Sequence, residues 1–206
     1  MPLDTDAPTL FFDIGGVLLT NGWDTAARRA AAELFGLDYS EFQARHEMLK
    51  TAMETGRISL DDYVARAVFH KSRPFTPDAF KQVMFDASVP LGDTLDFVRA
   101  LAATGRYRLF TLNNESRDLH EHRVRTYNLA PIFRGFLASC YLGQAKPDAS
   151  IYANALGIAG CPPSQAVFID DRALNVESAQ ASGLDAYQFT DLDALRAYLA
   201  ARGVTA

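Results

Sequence analysis

Short apolar runs alternate with amphipathic stretches along most of the chain, and this alternation is typical of a parallel sheet whose strands are joined by crossover helices. Four apolar runs predict strands over residues 9–12, 108–112, 166–169 and, more weakly, 186–189. Apolar residues at helical spacing predict helices over 93–104, 151–156 and 174–182, and a last helix that begins after Asp191 or Asp193. The pattern therefore predicts an α/β protein.

Residues 21–88 break this alternation. They contain no clear strand, and their apolar spacing predicts helices over 25–35, 39–55, 59–69 and 76–85. Gly36 and Gly56 lie between the patterns as stop signals. We expect an all-helical insertion at 21–88, directly after the first strand, and a core formed by 1–20 and 89–206. The linkers near Thr20 and Val89 would act as hinges.

Composition and charge narrow the classes of function. Of the 206 residues, 49% are apolar and 22% are charged, as in soluble globular proteins. No stretch approaches the roughly 18 apolar residues of a membrane helix, and a net charge of −5 argues against nucleic acid or an anionic membrane as the main partner. Residues 1–6 lack the features of a signal peptide, and Cys140 and Cys161 belong to no metal-site motif. We expect a cytoplasmic protein with two reduced thiols.

Polar residues follow directly after three of the predicted strands. Asp13 follows the first strand, Asn113 and Asn114 follow the second, and Asp170 and Asp171 follow the third. Ligands of open α/β sheets bind outside the carboxyl ends of the strands, so we expect these side chains to meet in one crevice. A single Asp or Asn at such a position is more often a turn former, but three strand ends together favour a site.

The residue types in this set suit phosphoryl transfer. Carboxylates without His or Cys favour a hard cation such as Mg²⁺, which binds carboxylates, water and phosphate oxygens. A carboxylate can also be a covalent nucleophile toward phosphorus. Lys146, between the second and third of these strands, would neutralise phosphate charge, and backbone amides of the helix after Asn114 would hold its oxygens. In such a site, positioning and charge compensation drive the reaction.

The chain resembles the haloacid dehalogenase-like superfamily of phosphatases across its whole core. Four segments are similar to the four family motifs, in the family's order: Phe12-Asp13-Ile14-Gly15-Gly16-Val17-Leu18, Leu112-Asn113-Asn114, Lys146-Pro147-Asp148 with Ile151-Tyr152, and Phe168-Ile169-Asp170-Asp171 with Asn175 and Gly183. The helical insertion after motif one resembles the helical cap of one subfamily. The resemblance implies a Rossmann-like, three-layer core with a parallel sheet beneath an all-helical four-helix cap.

The resemblance also implies a role for each matching residue. Asp13 would be the nucleophile that becomes an aspartyl phosphate, and Lys146 would bridge the nucleophile and the phosphate. Asn113 and Asn114 would lie beside the transferring phosphoryl group. The Mg²⁺ ligands would be Asp13, Asp171, the backbone carbonyl of Gly15 and, as a ligand or a neighbour of one, Asp170. The implied substrate is a small phosphorylated metabolite, and we expect a monomer or a homodimer.

Two residues depart from the family pattern. Gly15 stands where the family has a second Asp that protonates the leaving oxygen, and Asn113 stands where it has Ser or Thr. Proton donation is lost with the first change, and general acid catalysis typically contributes roughly 10²- to 10⁴-fold. Such a phosphatase should favour leaving groups that depart easily. The chain resembles a subset with Asp-x-Gly in motif one that includes sugar-1-phosphate phosphatases.

Two alternatives stay open on the residues alone. A 2-haloacid dehalogenase also lacks the second Asp, but Asp170 and Asp171 would repel a substrate carboxylate unless a cation lay between them. The missing acid and Asn113 also fit a catalytically weak protein of this fold that binds a phosphorylated ligand or a protein partner.

The insertion contains five residues that could contact a substrate: Asn21, Trp23, Arg45, His46 and Arg57. Trp23 is equally compatible with packing at the hinge and with stacking on a sugar. Arg45 and His46 lie in a long amphipathic pattern that favours a solvated position. His120 and His122 lack the HExxH spacing of a metal site, which favours a solvated helix start for both.

Overall fold

The computed structural model describes residues 7–206, and it confirms the predicted α/β fold. Its strands are β1 (Thr9–Phe12), β2 (Arg108–Asn113), β3 (Gly135–Ala138), β4 (Ala166–Asp170) and β5 (Asp185–Gln188). All neighbouring strands are parallel, and they lie in the order β3-β2-β1-β4-β5. Residues 1–6, from which the lack of a signal peptide is predicted, lie outside the described residues.

The first strand lies at the centre of the sheet and is fully buried, as in parallel sheets that helices cover on both faces. Phe11 stands level with Phe110 of β2 and with Phe168 of β4. Directly after β1, the backbone N–H of Asp13 donates to the carbonyl of Ile169 at 2.9 Å. The register therefore brings the residues that follow β1, β2 and β4 to one edge of the sheet.

Four helices follow β1, as the sequence predicts: α1 (Thr25–Leu34), α2 (Tyr39–Glu54), α3 (Leu60–Ala67) and α4 (Pro77–Asp86). Each begins after a polar residue whose side chain accepts a hydrogen bond from the first turn: Asp24, Asp38, Ser59 and Thr76. The four helices share an apolar cluster that includes Trp23, Phe42, Tyr63 and Phe80. They form the predicted helical cap, and the domain boundaries at 20/21 and 88/89 stay predictions.

Further α-helices in the described part of the chain are α5 (Thr94–Ala103), α6 (Arg117–Thr126), α7 (Ser139–Leu142), α8 (Ala149–Ala159), α9 (Ala173–Ala181) and α10 (Leu192–Ala200). One face of the sheet packs on α5 and α10 in a cluster that contains Phe12, Leu101 and Leu195. The other face packs on α8 and α9 in a cluster that contains Phe11 and Tyr152. Adjacent side chains of a strand point to opposite faces, so helices cover both sides of the sheet.

The sequence pattern missed β3 and the short helix α7. β3 has only four residues at the edge of the sheet, and its first two, Gly135 and Phe136, are half-buried. β3 also runs directly into α7 at Ser139, so no turn separates the strand from the helix in the sequence pattern. The ends of the predicted strands and helices differ from the observed ones by no more than three residues.

Cys140 and Cys161 are free, buried thiols in the structure. None of the helices within residues 7–206 combines the length and the apolar character needed to cross a bilayer.

The two linkers of the helical cap lie side by side. The backbone N–H of Thr20 donates to the carbonyl of Val89 at 2.8 Å, and the Thr20 hydroxyl donates to the carbonyl of Ala87 at 2.7 Å. Arg123 of α6 contacts both linkers, because its guanidinium donates to the Thr20 carbonyl at 3.3 Å and to Ser88 Oγ at 3.0 Å. The chain therefore enters and leaves the cap through two adjacent, hydrogen-bonded linkers.

This pairing makes the domain boundaries testable by excision. We expect a chain in which a short Gly-Ser linker replaces residues 21–88 to keep a folded core, because Thr20 and Val89 are already adjacent. Leu119 of α6 packs in the cap cluster, so the excised chain should also carry Leu119→Ser. A soluble excised chain that shows no cooperative thermal transition by circular dichroism would contradict the boundaries, and full-length Leu119→Ser is the matched control.

Candidate active site

A cavity of about 890 Å³ lies where the strands end and the helical cap covers them. Residues of the core and of the cap line it together. The predicted site residues that line it are Asp13, Gly15, Asn113, Asn114 and Lys146. Asp170 and Asp171 lie beside Asp13, and one carboxylate oxygen of each of these three residues lies within 4.8 Å of the others.

Asp13 is held in place by its own backbone neighbour and by a lysine. Its Oδ1 accepts the backbone N–H of Ile14 at 2.8 Å, and its Oδ2 lies 3.2 Å from Lys146 Nζ. Burial raises the pKa of Asp13 to about 7, although the Lys146 ammonium opposes the shift. A cation beside this carboxylate would favour its ionised form.

Lys146 is a buried cation that all three strand ends contact. Its Nζ lies 2.6 Å from Asp170 Oδ2 and 3.2 Å from Asp13 Oδ2, and it donates to the Leu112 carbonyl at 2.7 Å. Burial alone would lower the pKa of Lys146, but the carboxylates of Asp13 and Asp170 outweigh it and raise the pKa. Lys146 therefore keeps its charge next to the cavity.

The two carboxylates at the end of β4 have different partners. Asp170 is fully buried, and both its oxygens accept from Asn175 Nδ2 at 3.0 Å in addition to the bonds from Lys146 and from the Arg172 backbone. Asp171 Oδ2 accepts from Asn21 Nδ2 at 3.1 Å, but Asp171 Oδ1 is buried without a partner among the described residues. Asp171 therefore has a free carboxylate oxygen for a cation, whereas Asp170 fixes Lys146.

The two asparagines at the end of β2 make different contacts. Asn114 exchanges two hydrogen bonds with the backbone of Lys146, at 2.8 and 2.9 Å, so its side chain positions the lysine. The amide nitrogen of Asn113 donates to Glu115, which leaves Asn113 Oδ1 buried and without a partner among the described residues. Asn113 thus lines the cavity and carries an acceptor that no described residue satisfies.

A buried ion pair that the sequence analysis did not find lies beside Asn113. Glu115 Oε2 lies 3.0 Å from Arg123 Nη1, and Glu115 Oε1 lies 2.8 Å from His120 Nδ1. Burial would raise the pKa of Glu115, but Arg123 and His120 outweigh it and lower the pKa. The ion pair fixes the orientation of Asn113. Glu115 and Arg123 are eight positions apart, which is not a helical pair spacing, so no sequence pattern marked them.

Two histidines predicted to be solvated are buried, so those predictions are wrong. His46 is 2% exposed and contacts Tyr63, and His120 is 3% exposed and contacts Glu115. Helical periodicity assigned His46 to a polar face, and the lack of a metal-site spacing favoured a solvated helix start for His120. Neither signal shows a partner elsewhere in the fold. Of the cap residues considered as substrate contacts, Asn21, Trp23 and His46 line the cavity. Arg45 binds the Arg66 carbonyl instead, at 3.0 Å.

The sequence matches the family model of haloacid dehalogenase-like hydrolases over residues 7–183. The protein therefore belongs to the haloacid dehalogenase-like hydrolase family, as its motifs predict.

Two curated proteins are similar to it along most of their length. Flavin mononucleotide hydrolase 1 of Arabidopsis thaliana is 26% identical over 194 residues, which are 91% of this chain and 78% of that protein. Sesquiterpene phosphatase astK of Aspergillus oryzae is 27% identical over 182 residues, which are 87% of this chain and 88% of that protein. The Arabidopsis protein is named as a chloroplast protein, and the cytoplasmic location expected for this chain stays a prediction.

Solved structures share the fold. A haloacid dehalogenase family enzyme from Bacteroides thetaiotaomicron superposes with a TM-score of 0.78 at 22% identity, covering 92% of this chain and 98% of that one. The same enzyme in complex with magnesium and inorganic phosphate gives a TM-score of 0.73.

Gly16 permits the close approach of Asp171, which gives a test of the site geometry. Gly16 has φ +78°, and a Cβ there would lie 2.3 Å from Asp171 Oδ2. Gly36 has φ +61° but nothing within 4 Å of a Cβ, so Gly36→Ala measures the backbone strain alone, about 1–2 kcal/mol. We expect Gly16→Ala to lose more stability than this and to weaken divalent-cation binding by about tenfold.

Chemical denaturation and calorimetric titration with MgCl₂ measure the two effects. If the two variants lose equal stability and both bind the cation as the wild type does, the position of the Asp171 carboxylate does not depend on the absence of a side chain at Gly16.

Proposed function

We propose that this hydrolase is a Mg²⁺-dependent phosphatase that transfers the phosphoryl group of a small phosphorylated metabolite first to Asp13 and then to water. The observation that carries the proposal is the position of Asp13, at the centre of the strand ends, 3.2 Å from the Lys146 ammonium and on the wall of the cavity. A carboxylate nucleophile beside a fixed cation is what phosphoryl transfer to an aspartate requires.

Asp13, Asp171 and the Gly15 carbonyl would hold the cation. The fit rests on the unpaired Asp171 Oδ1 and on the three carboxylate oxygens within 4.8 Å of one another, which repel each other without a positive charge. When bound, Mg²⁺ supplies positive charge to the phosphate oxygens. Asp170 takes part indirectly, since its oxygens hold Lys146 and Asn175.

Asp13 supplies the nucleophile. One of its carboxylate oxygens forms a bond to phosphorus while the bond from phosphorus to the ester oxygen breaks, and that oxygen leaves with the electron pair. Water then attacks the phosphorus of the aspartyl phosphate, which releases inorganic phosphate and a proton and regenerates Asp13. Lys146 compensates negative charge in both steps. Asn113 Oδ1 can accept a hydrogen bond from the attacking water.

The charged residues that line the cavity favour a substrate with a polar leaving group. The cap contributes charged side chains of both signs to the cavity: Asp24, Arg28, Glu47, Lys50 and Glu54. A hydrocarbon buried against these charged groups would remove their remaining contacts with water, which is unfavourable. The two relatives, named as a hydrolase of flavin mononucleotide and a sesquiterpene phosphatase, support a phosphorylated organic substrate.

The grouping of Asp13 with Asp170 and Asp171 disfavours a 2-haloacid dehalogenase. The substrate of such an enzyme carries a carboxylate, which the neighbouring carboxylates would repel without a cation between them.

The nucleophile and metal assignments are tested together by Asp13→Asn. We expect turnover of phenyl phosphate in MgCl₂ to fall by roughly 10³-fold or more, because an amide cannot form the acyl phosphate. The melting temperature should change little, since Lys146 keeps its ion pair with Asp170. Asp193→Asn, which changes an exposed carboxylate of α10, is the matched control. Full activity of Asp13→Asn, or of the wild type in excess EDTA, would contradict the proposal.

The absence of a carboxyl group at Gly15 predicts a steep dependence of turnover on leaving-group pKa. We expect acyl, aryl and anomeric phosphates to be cleaved much faster than glycerol phosphate, because the departing oxygen receives no proton from residue 15. A series of phosphate monoesters at saturating Mg²⁺ measures the slope, and a flat dependence would mean that another residue donates the proton.

Gly15→Asp tests whether the acid can be restored. A Cβ at this position would lie 3.6 Å from Arg123 Nη1, so the guanidinium would hold the new carboxyl group ionised and make it a poor acid. We therefore expect a gain well below the roughly 10²- to 10⁴-fold of general acid catalysis. Gly15→Asn controls for shape, and a hundredfold gain confined to poor leaving groups in Gly15→Asp alone would contradict this expectation.

A further inference from the structure

His46 lies on α2, in the part of the cap that faces the strand ends. It is 2% exposed, and it lines the same cavity as Asp13 and Lys146. Neither the phosphoryl chemistry nor the proposed cation site uses it. A buried imidazole on the cavity wall must place its two nitrogens against partners, and only one of them has a partner within residues 7–206.

The hydrogen bonds behind His46 fix which nitrogen carries the proton. Trp23 Nε1–H, which can only donate, lies 2.9 Å from the Tyr63 hydroxyl oxygen, and this oxygen lies 2.9 Å from His46 Nδ1. Tyr63 is fully buried, and among the described residues its hydroxyl contacts only these two nitrogens. The Tyr63 proton therefore goes to His46 Nδ1, and the ring's own proton lies on Nε2.

His46 Nε2 is thus an N–H donor, and it has no partner among the described residues. An unpaired buried donor is unfavourable, and a ligand oxygen that pairs with it recovers the loss. Sites that contain such a donor discriminate strongly against ligands that lack the matching acceptor.

The surroundings keep this donor uncharged. Burial, together with the nearby cations Arg28 of α1 and Lys50 of α2, lowers the pKa of His46 to about 3. Five charged cap residues line the cavity: the carboxylates Asp24, Glu47 and Glu54 and the cations Arg28 and Lys50. Because carboxylates outnumber cations, the cap side of the cavity does not favour an anion. The Tyr63 hydroxyl behind the ring stays protonated, because burial raises its pKa.

We propose that His46 is a specificity-determining residue, whose Nε2–H donates a hydrogen bond to an uncharged oxygen, a hydroxyl or a carbonyl, of the leaving group. This assignment rests on the proposed phosphatase function. The core binds the phosphoryl group through Asp13 and Lys146, and the cap binds the remainder of the substrate. The preferred substrates are therefore polyhydroxylated or carbonyl-bearing phosphate esters, and a plain aryl ester makes no use of His46.

Two substitutions distinguish the Nε2–H donor of His46 from the acceptor that His46 offers to the Tyr63 hydroxyl. His46→Asn keeps an acceptor for Tyr63 but removes the donor at the Nε2 position, whereas His46→Gln keeps an N–H near that position. The probes are glucose 1-phosphate, ribose 5-phosphate and acetyl phosphate as oxygen-bearing esters, and phenyl phosphate as the plain ester. We expect His46→Asn to reduce kcat/KM roughly tenfold to hundredfold on at least one oxygen-bearing ester. It should change phenyl phosphate less than threefold, and His46→Gln should recover part of the loss.

Equal losses on all probes, or no loss on any, would overturn the proposal. A wild type that cleaves only phenyl phosphate would overturn it too, while leaving the phosphatase function intact. ¹⁵N NMR of the ring gives a readout that does not need turnover: Nδ1 should be pyridine-like and Nε2 protonated. In Asp13→Asn with MgCl₂, glucose 1-phosphate should shift the Nε2 resonance. An Nδ1-protonated ring, or an Nε2 resonance that none of the oxygen-bearing esters moves, would overturn the proposal even in a protein without activity.

Discussion

The ammonium group of Lys146 is the interaction on which the rest of the site depends. Moving a carboxylate out of water costs several kcal/mol unless a partner compensates it, and Asp13 and Asp170 are both buried at adjacent strand ends. Lys146 Nζ contacts both, at 3.2 and 2.6 Å, so one cation allows β1 and β4 to end side by side in carboxylates. The cluster still carries an excess negative charge, and Asp171 adds to it, which is why a divalent cation fits.

The position of Lys146 is set by the end of β2. Asn114 binds the backbone of Lys146 on both sides, and the Leu112 carbonyl accepts from its Nζ. The three central strands therefore converge on one side chain that comes from the segment between β3 and α8. This convergence explains the role of Asn114, whose side chain binds the Lys146 backbone instead of offering free donors to the cavity. Asn114 thereby positions the ammonium group that the carboxylates at the other two strand ends require.

Local rules account for what the sequence could predict. The apolar runs that form β1, β2 and β4 end at polar residues, and the parallel order of strands brings those ends together, so the grouping of Asp13 with Asp170 follows from the pattern. The burial of His46 and His120 does not follow, because each depends on a partner that periodicity does not show: Tyr63 is 17 positions from His46, and Glu115 lies just before the helix of His120. β3 is no shorter than β1, but it runs directly into α7, so the pattern contains no turn that would end a strand there.

The coupling between the cap and the core also depends on a buried charge. Arg123 contacts the Thr20 carbonyl and Ser88 Oγ in the two linkers, and the same guanidinium pairs with Glu115, which holds Asn113. Arg123 and Glu115 both belong to the core, and breaking their pair would leave a buried charge at a cost of roughly 3–5 kcal/mol, so the pair holds Arg123 in place against the linkers. The contacts of Arg123 with Thr20 and Ser88, rather than this ion pair, are therefore the ones that a displacement of the linkers would change, and Glu115 would keep its hydrogen bond from Asn113.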